Sequence, residues 1–178
     1  MKLSIISALA TLTALAASTP LSPRQTTILY PYRTYRYWIN SGSVKEDPQD
    51  QLLVVKDRSP SNESSTLTTF WIPPEYAGRT CKLVIDLWDR DHSTGTQTVD
   101  VFTSVAPGRR DNNIGRVYLP KPGRGEWVSR FGWSEEFECP VGGEGEGEGL
   151  IGFEFVGAGD EVEVRWDIGV TGPLIHVL

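Results

Sequence analysis

The sequence predicts an all-β chain, an antiparallel two-sheet β-sandwich of jelly-roll-like form closed by one disulfide. Apolar residues recur with period two along most of the chain. No segment beyond residue 17 holds a helical period, and the short apolar runs are separated by Gly, Pro, Asn and Asp clusters. A parallel α/β sheet would need crossover helices, for which the pattern has no room. The 178 residues are 39% hydrophobic and 22% charged, the profile of one soluble globular domain. A net charge of −6 makes the chain a poor ligand for nucleic acid.

Met1-Lys2 followed by the apolar run Leu3 to Ala17 reads as a secretory signal peptide. At about fifteen residues the run is too short for a membrane span, and Pro20 and Pro23 follow at once. Cleavage is expected near Ala16 or Ala17, with Arg24 open as a later processing cut. This divides the chain into a signal peptide (1–17), a flexible, polar, Pro-containing leader (18–29) and a sandwich domain (30–178).

Tyr30, Tyr32, Tyr35, Tyr37 and Trp38 then crowd together, interleaved with Arg33 and Arg36. Strands are expected at Leu52 to Val55 and Leu67 to Ile72. Cys81, Leu83, Ile85 and Leu87 share one face of the next strand, and Val84 and Trp88 on the other face predict burial on much of both sides. Val99, Val101, Thr103 and Val105 alternate with Asp100, Phe102 and Ser104, and Ile114 to Leu119 follows. Gly142 to Gly149, where Gly alternates with Glu, reads as a mobile surface loop. Ile151, Phe153 and Phe155 mark a further strand. In the clearest case, Val162, Val164, Trp166 and Ile168 alternate with Glu161, Glu163, Arg165 and Asp167, giving one buried and one solvated face. Gly157-Ala158-Gly159-Asp160 is expected to join these last two strands as a hairpin. Leu174 to Leu178 closes the set, with His176 on its solvent side.

Export permits disulfides, and two cysteines allow one pairing, Cys81 with Cys139. Closing a loop of that length contributes roughly 4 kcal/mol on the chain-entropy argument. Asn62-Glu63-Ser64 is an N-glycosylation sequon in a Ser-rich stretch where an exposed loop is expected.

Several strings along these strands carry a resemblance. Leu67-Thr68-Thr69-Phe70, Ala77-Gly78-Arg79-Thr80-Cys81-Lys82-Leu83-Val84-Ile85-Asp86-Leu87 and Val99-Asp100-Val101-Phe102-Thr103-Ser104 come first. Arg110 to Arg116, Phe137-Glu138-Cys139-Pro140, Gly152-Phe153-Glu154-Phe155 and Val164-Arg165-Trp166-Asp167 follow in order. Over Tyr30 to Val177 the chain resembles the fungal But-two C-terminal domain family. That resemblance implies an extracellular or surface protein without a catalytic signature. The family takes its name from a binder of the activating machinery of a ubiquitin-like modifier. A chain exported by residues 1–17 would not meet a cytosolic modifier-activating enzyme, so that partner is not expected here.

Catalytic patterns are weak. The two histidines, His92 and His176, stand far from the mature N-terminus that a copper-binding histidine brace requires, and with two disulfide-bonded cysteines they do not form a zinc ligand set. His92, read as a loop histidine beside Asp91, has no Gly-x-Ser-x-Gly elbow to serve. Asp86, Asp89 and Asp91 cluster as calcium-binding loop oxygens do, without an EF-hand spacing. A glycosidase needs two carboxylates at a set separation across a cleft, and sequence alone cannot pair them. No cofactor and no metal is assigned.

Aromatic faces that stack on sugar rings are the best binding signal. Tyr35, Tyr37 and Trp38 are candidates, with Trp71, Trp88, Trp127 and Trp133 behind them, and Trp127 and Trp133, which flank Arg130 among glycines, are expected on a functional loop. Core packing competes for every one of these rings. The expected function is a secreted, non-catalytic binding protein, extracellular or wall-associated, with polysaccharide or an extracellular protein as partner. A small acid-pair hydrolase and a ligand-free structural wall component are the alternatives.

Overall fold

The computed structural model describes residues 26–141 and 149–178. The signal peptide, most of the leader and nearly all of the Gly/Glu run lie outside the described residues. In chain order the strands are β1 (Thr27–Leu29), β2 (Arg33–Trp38), β3 (Val44–Glu46), β4 (Val54–Lys56), β5 (Ser64–Trp71), β6 (Thr80–Leu87), β7 (His92–Gly95) and β8 (Thr98–Thr103). They continue with β9 (Asn113–Tyr118), β10 (Gly123–Arg124), β11 (Glu126–Arg130), β12 (Glu136–Glu138), β13 (Leu150–Gly157), β14 (Val162–Arg165) and β15 (Gly172–Val177). Two 3-10 turns, Pro60–Asn62 and Pro74–Tyr76, are the only helical pieces among the described residues. No helix there is long and apolar enough to cross a membrane.

All pairings are antiparallel. The smaller sheet orders β1, β15, β6 and β10, with β12 also on β6. The larger runs from β11 through β9, β8, β13 and β5 to β4, β14 and β7, and β5 also carries β2, which in turn pairs with β3. Period-two alternation builds the core between them. Leu83, Ile85, Leu87, Ile175 and Val177 of the smaller sheet meet Phe70, Val99, Val101, Phe153, Phe155, Val162 and Val164 of the larger. Burying a side chain of this size contributes about 1.5–3 kcal/mol. Cys81 of β6 is bonded to Cys139, just after β12, so the disulfide fixes that short strand to the smaller sheet.

Four local expectations are corrected. The leader does not stay free through residue 29, because Thr27–Leu29 pairs with β15. Gly157 to Asp160 is not a hairpin turn, since β13 pairs with β5 and β8 whereas β14 pairs with β4 and β7. The connection is held by β7 and its flank, where Thr96 Oγ1 donates to the Ala158 carbonyl at 2.6 Å and its N–H to that of Glu161 at 2.8 Å. His92 is a strand residue of β7, its Nε2 at 3.3 Å from Glu163. His176 alternates as expected, yet it is half-buried and its Nε2 has no partner. Burial, then the Arg124 charge, lowers its pKa.

Candidate functional site

Three loops meet at one end of the sandwich, spanning residues 47–52, 88–91 and 165–171. Asp91 joins two of them. Its buried carboxylate accepts the N–H of Trp88 at 2.6 Å, the N–H of Asp167 at 3.2 Å and the hydroxyl of Thr171 at 3.1 Å. Arg90 pairs with Asp167 at 2.8 Å, and Arg165 donates to the Arg90 carbonyl at 2.9 Å. Trp166 packs edge-on to Phe155 and lies against Gly172, where an added Cβ would come 2.4 Å from the indole. Gly172 also has φ +83°, so glycine is required on both counts. The third loop is tied down where the Asp47 N–H donates to the Thr34 carbonyl at 2.8 Å. Asp47 and Asp50 adopt φ of 49° and 57°, a left-handed geometry that Asp tolerates better than most residues.

These loops enclose a cleft of three adjoining hollows. A hollow of about 440 Å³ lies over Tyr32, Arg33, Thr34 and Gln49. Gln49 is also a wall of a second, of about 120 Å³, with Asp50, Arg90, Arg165 and Trp166. The second shares Asp50, Arg90, Asp91 and Arg165 with a third of about 440 Å³, which reaches Asp89, His92 and Lys121. Two large rings are exposed here: Tyr32, which lines the first hollow, is 60% exposed, and Trp88, next to the wall residues Asp89 and Arg90, is 51% exposed. The Arg33 guanidinium lies 5.2 Å from the Tyr32 ring and that of Arg90 lies 5.0 Å from the Trp88 ring. Such contacts orient a ring without covering all of it. Arg33 also donates to Glu46, and its hydrogen bonds, to Glu46 first and then to Tyr32, raise its pKa. Oriented aromatic faces beside polar groups suit a ligand that stacks and hydrogen-bonds at once.

The predicted aromatic residues do not meet at this cleft. Tyr35, Tyr37 and Trp38 are half-buried on β2. The Tyr37 ring lies so close over Gly108 that an added Cβ there would sit 2.7 Å from it, and Trp38 lies 4.5 Å beneath Arg36. Arg36 donates to Ser64 Oγ at 3.1 Å, and burial lowers its pKa. Trp127 is not a loop residue, and Trp133, on the loop between β11 and β12, is packed rather than free. Trp127 belongs to β11, its ring 5.7 Å from Trp133, which lies 5.1 Å from Phe137 and 5.7 Å from core residue Phe153. Trp88, a secondary candidate in the sequence, follows Leu87 at the end of β6 and reads there as one more strand aromatic. Tyr32 was visible only as a member of the crowded run.

Two of the three acidic candidates are occupied. Asp86 binds Arg124 through both oxygens at 2.9 and 3.1 Å, while Asp91 points into its own loop, so Asp86, Asp89 and Asp91 do not converge. Sequence reading missed Glu154, fully buried on the face opposite Phe153 and Phe155. It accepts from Ser65 at 2.6 Å, Arg110 at 2.9 Å and the Gly108 N–H at 3.1 Å, pinning the loop after β8. Asn62 is exposed at the end of its 3-10 turn, with Nδ2 3.3 Å from Asp57. No protein-family model matches the chain, and no curated protein matches it in sequence.

Proposed function

We propose that this chain is a secreted, non-catalytic binding protein of the But-two C-terminal type that holds extracellular or wall polysaccharide in the loop-end cleft. One observation carries the reading: Tyr32 and Trp88 are exposed, each lies beside an arginine, and those arginines, Arg33 and Arg90, line adjoining polar hollows. The Cys81–Cys139 disulfide supports an oxidising compartment. Binding is favoured over hydrolysis because the buried carboxylates Asp91 and Glu154 are taken up by protein donors and brace loops.

The test is retention of the purified protein on insoluble chitin, β-glucan and cellulose, with released sugar assayed in parallel. Wild type is retained on at least one of them without sugar release, and Tyr32→Ala and Trp88→Ala each weaken retention about tenfold, near 1.4 kcal/mol. Absence of retention on all three, or retention that neither variant changes, overturns the reading. Sugar release that Asp50→Asn abolishes would replace it with a hydrolase.

A further inference from the structure

Arg109-Arg110 is the only pair of adjacent basic residues in the sequence, and it lies on the exposed loop that joins β8 to β9. Exposed loops are where proteases nick a folded chain, and paired guanidinium groups suit an endoprotease whose first two side-chain pockets are acidic. Such an enzyme must draw the chain out as an extended strand and take the second arginine into its pocket. The fold holds back both the backbone and that side chain.

The side chain is held by β13. Arg110 Nε donates to Glu154 Oε1 at 2.9 Å, its guanidinium lies 5.5 Å from the Phe102 ring, and the Glu154 side chain is 0% exposed. The backbone is held on both sides of the bond that would be cut. Before it, the Gly108 N–H donates to Glu154 Oε2 at 3.1 Å, and the buried Ser104 Oγ lies 2.6 Å from the Arg109 carbonyl. At the bond itself, the Asp111 N–H donates to the Thr103 carbonyl at 2.8 Å. Ser104 is in turn fixed by β13, its N–H donating to the Gly152 carbonyl at 3.0 Å. The Tyr37 ring closes over Gly108, whose φ of +71° turns the loop back instead of letting it extend. Without β13, Arg110, Gly108 and Ser104 all lose their acceptors together.

We propose that Arg109-Arg110 is a cleavage site for an endoprotease specific for paired basic residues, locked in the folded chain by Glu154 and open wherever β13 has not docked. Water adds across the Arg110–Asp111 peptide bond, leaving a carboxylate on Arg110 and an amino group on Asp111. The cut severs β8 from β9, yet it falls between Cys81 and Cys139, so the disulfide retains both pieces. Meeting such an enzyme on the secretory route rests on export, as proposed above; the lock does not, and neither rests on the cleft.

The test incubates wild type, Glu154→Gln, Ser104→Ala and Trp133→Ala, folded and oxidised, with a subtilisin-type endoprotease specific for paired basic residues. Products are read by mass spectrometry with and without reductant. Wild type is cut after Arg110 on the order of a hundredfold more slowly than the same chain reduced, alkylated and unfolded, because cleavage follows the population of the open loop. Glu154→Gln and Ser104→Ala loosen the lock at different atoms, and each is cut there about tenfold faster than wild type, with Asp111 as the new N-terminus and pieces that separate only on reduction. Ser104→Ala decides the matter if Glu154→Gln does not fold. Trp133→Ala is destabilised in the core with every Glu154 contact in place, so its rate at Arg110 stays within about twofold of wild type. Cleavage of folded wild type as fast as of the unfolded chain, or no gain in the two lock variants, overturns the lock. Equal acceleration in Trp133→Ala also overturns it, since global unfolding would then open the site. An unfolded chain left uncut after Arg110 overturns the site itself.

Discussion

Trp133 and Trp88 present the same indole to opposite surroundings. Trp133 lies against Trp127, Phe137 and Phe153 and finishes the core, whereas Trp88 stands half in solvent under Arg90, itself a wall residue of the polar hollows. The difference shows that residue type does not separate a packing aromatic from a binding one. Neighbours do so, and most of them are distant in sequence. A ring surrounded by other rings contributes through area removed from water and edge-to-face contact. A ring oriented by a single guanidinium keeps a face for a ligand.

The comparison can be broken most forcefully at the disulfide. Replacing both Cys81 and Cys139 with Ala releases the segment that carries Trp133 and Phe137, and urea unfolding should show a loss of roughly 4 kcal/mol. Trp133→Ala comes next, at about 3 kcal/mol by the same measurement. Glu154→Gln removes the charge that Arg110, Ser65 and the Gly108 N–H share, for about 2 kcal/mol, and loosens the loop after β8 to limited proteolysis. His176 gives a smaller effect with a definite sign. Its pKa is lowered in the folded state, so the unfolded chain binds the proton more readily, and stability falls as pH drops below about 6.5. His176→Gln should flatten that part of the stability profile. Trp88→Ala stands last, within about 0.5 kcal/mol of wild type in stability. Equal losses from Trp88→Ala and Trp133→Ala would erase the distinction between core and rim.

Much of the fold was legible because alternation is a local property. Val162, Val164 and Trp166 announced β14 and its flank, and Phe153 and Phe155 announced the buried face of β13. Pairing was harder to read. A Gly-rich connection after β13 looks like a hairpin in one dimension, whereas Thr96, more than sixty residues earlier, decides where that connection goes. The site was legible only as a tendency. Tyr32 and Tyr35 are close neighbours in one aromatic run, and what separates them is the loop at Asp47 to Asp50 that makes a hollow next to the first. Trp127 was misread because flanking glycines suggested a loop, whereas it lies on β11 and Gly115 of the neighbouring β9 makes room for its ring; Trp133 does lie on the loop between β11 and β12.

The hydroxyl-rich composition of β5 matters during synthesis. β2 precedes β5 and covers one of its edges, but the partner on the other edge is β13, and the Ser65–Glu154 contact between them spans 89 residues. At about 5–20 residues per second on the ribosome, β13 arrives on the order of 4 to 18 seconds later. For that interval β5 is an open template for any passing extended chain. Ser64, Ser65, Thr66, Thr68 and Thr69 keep it far less sticky than a Val/Ile strand of equal length would be. The same hydroxyls that need partners in the finished sheet therefore protect the nascent chain from aggregation while it waits.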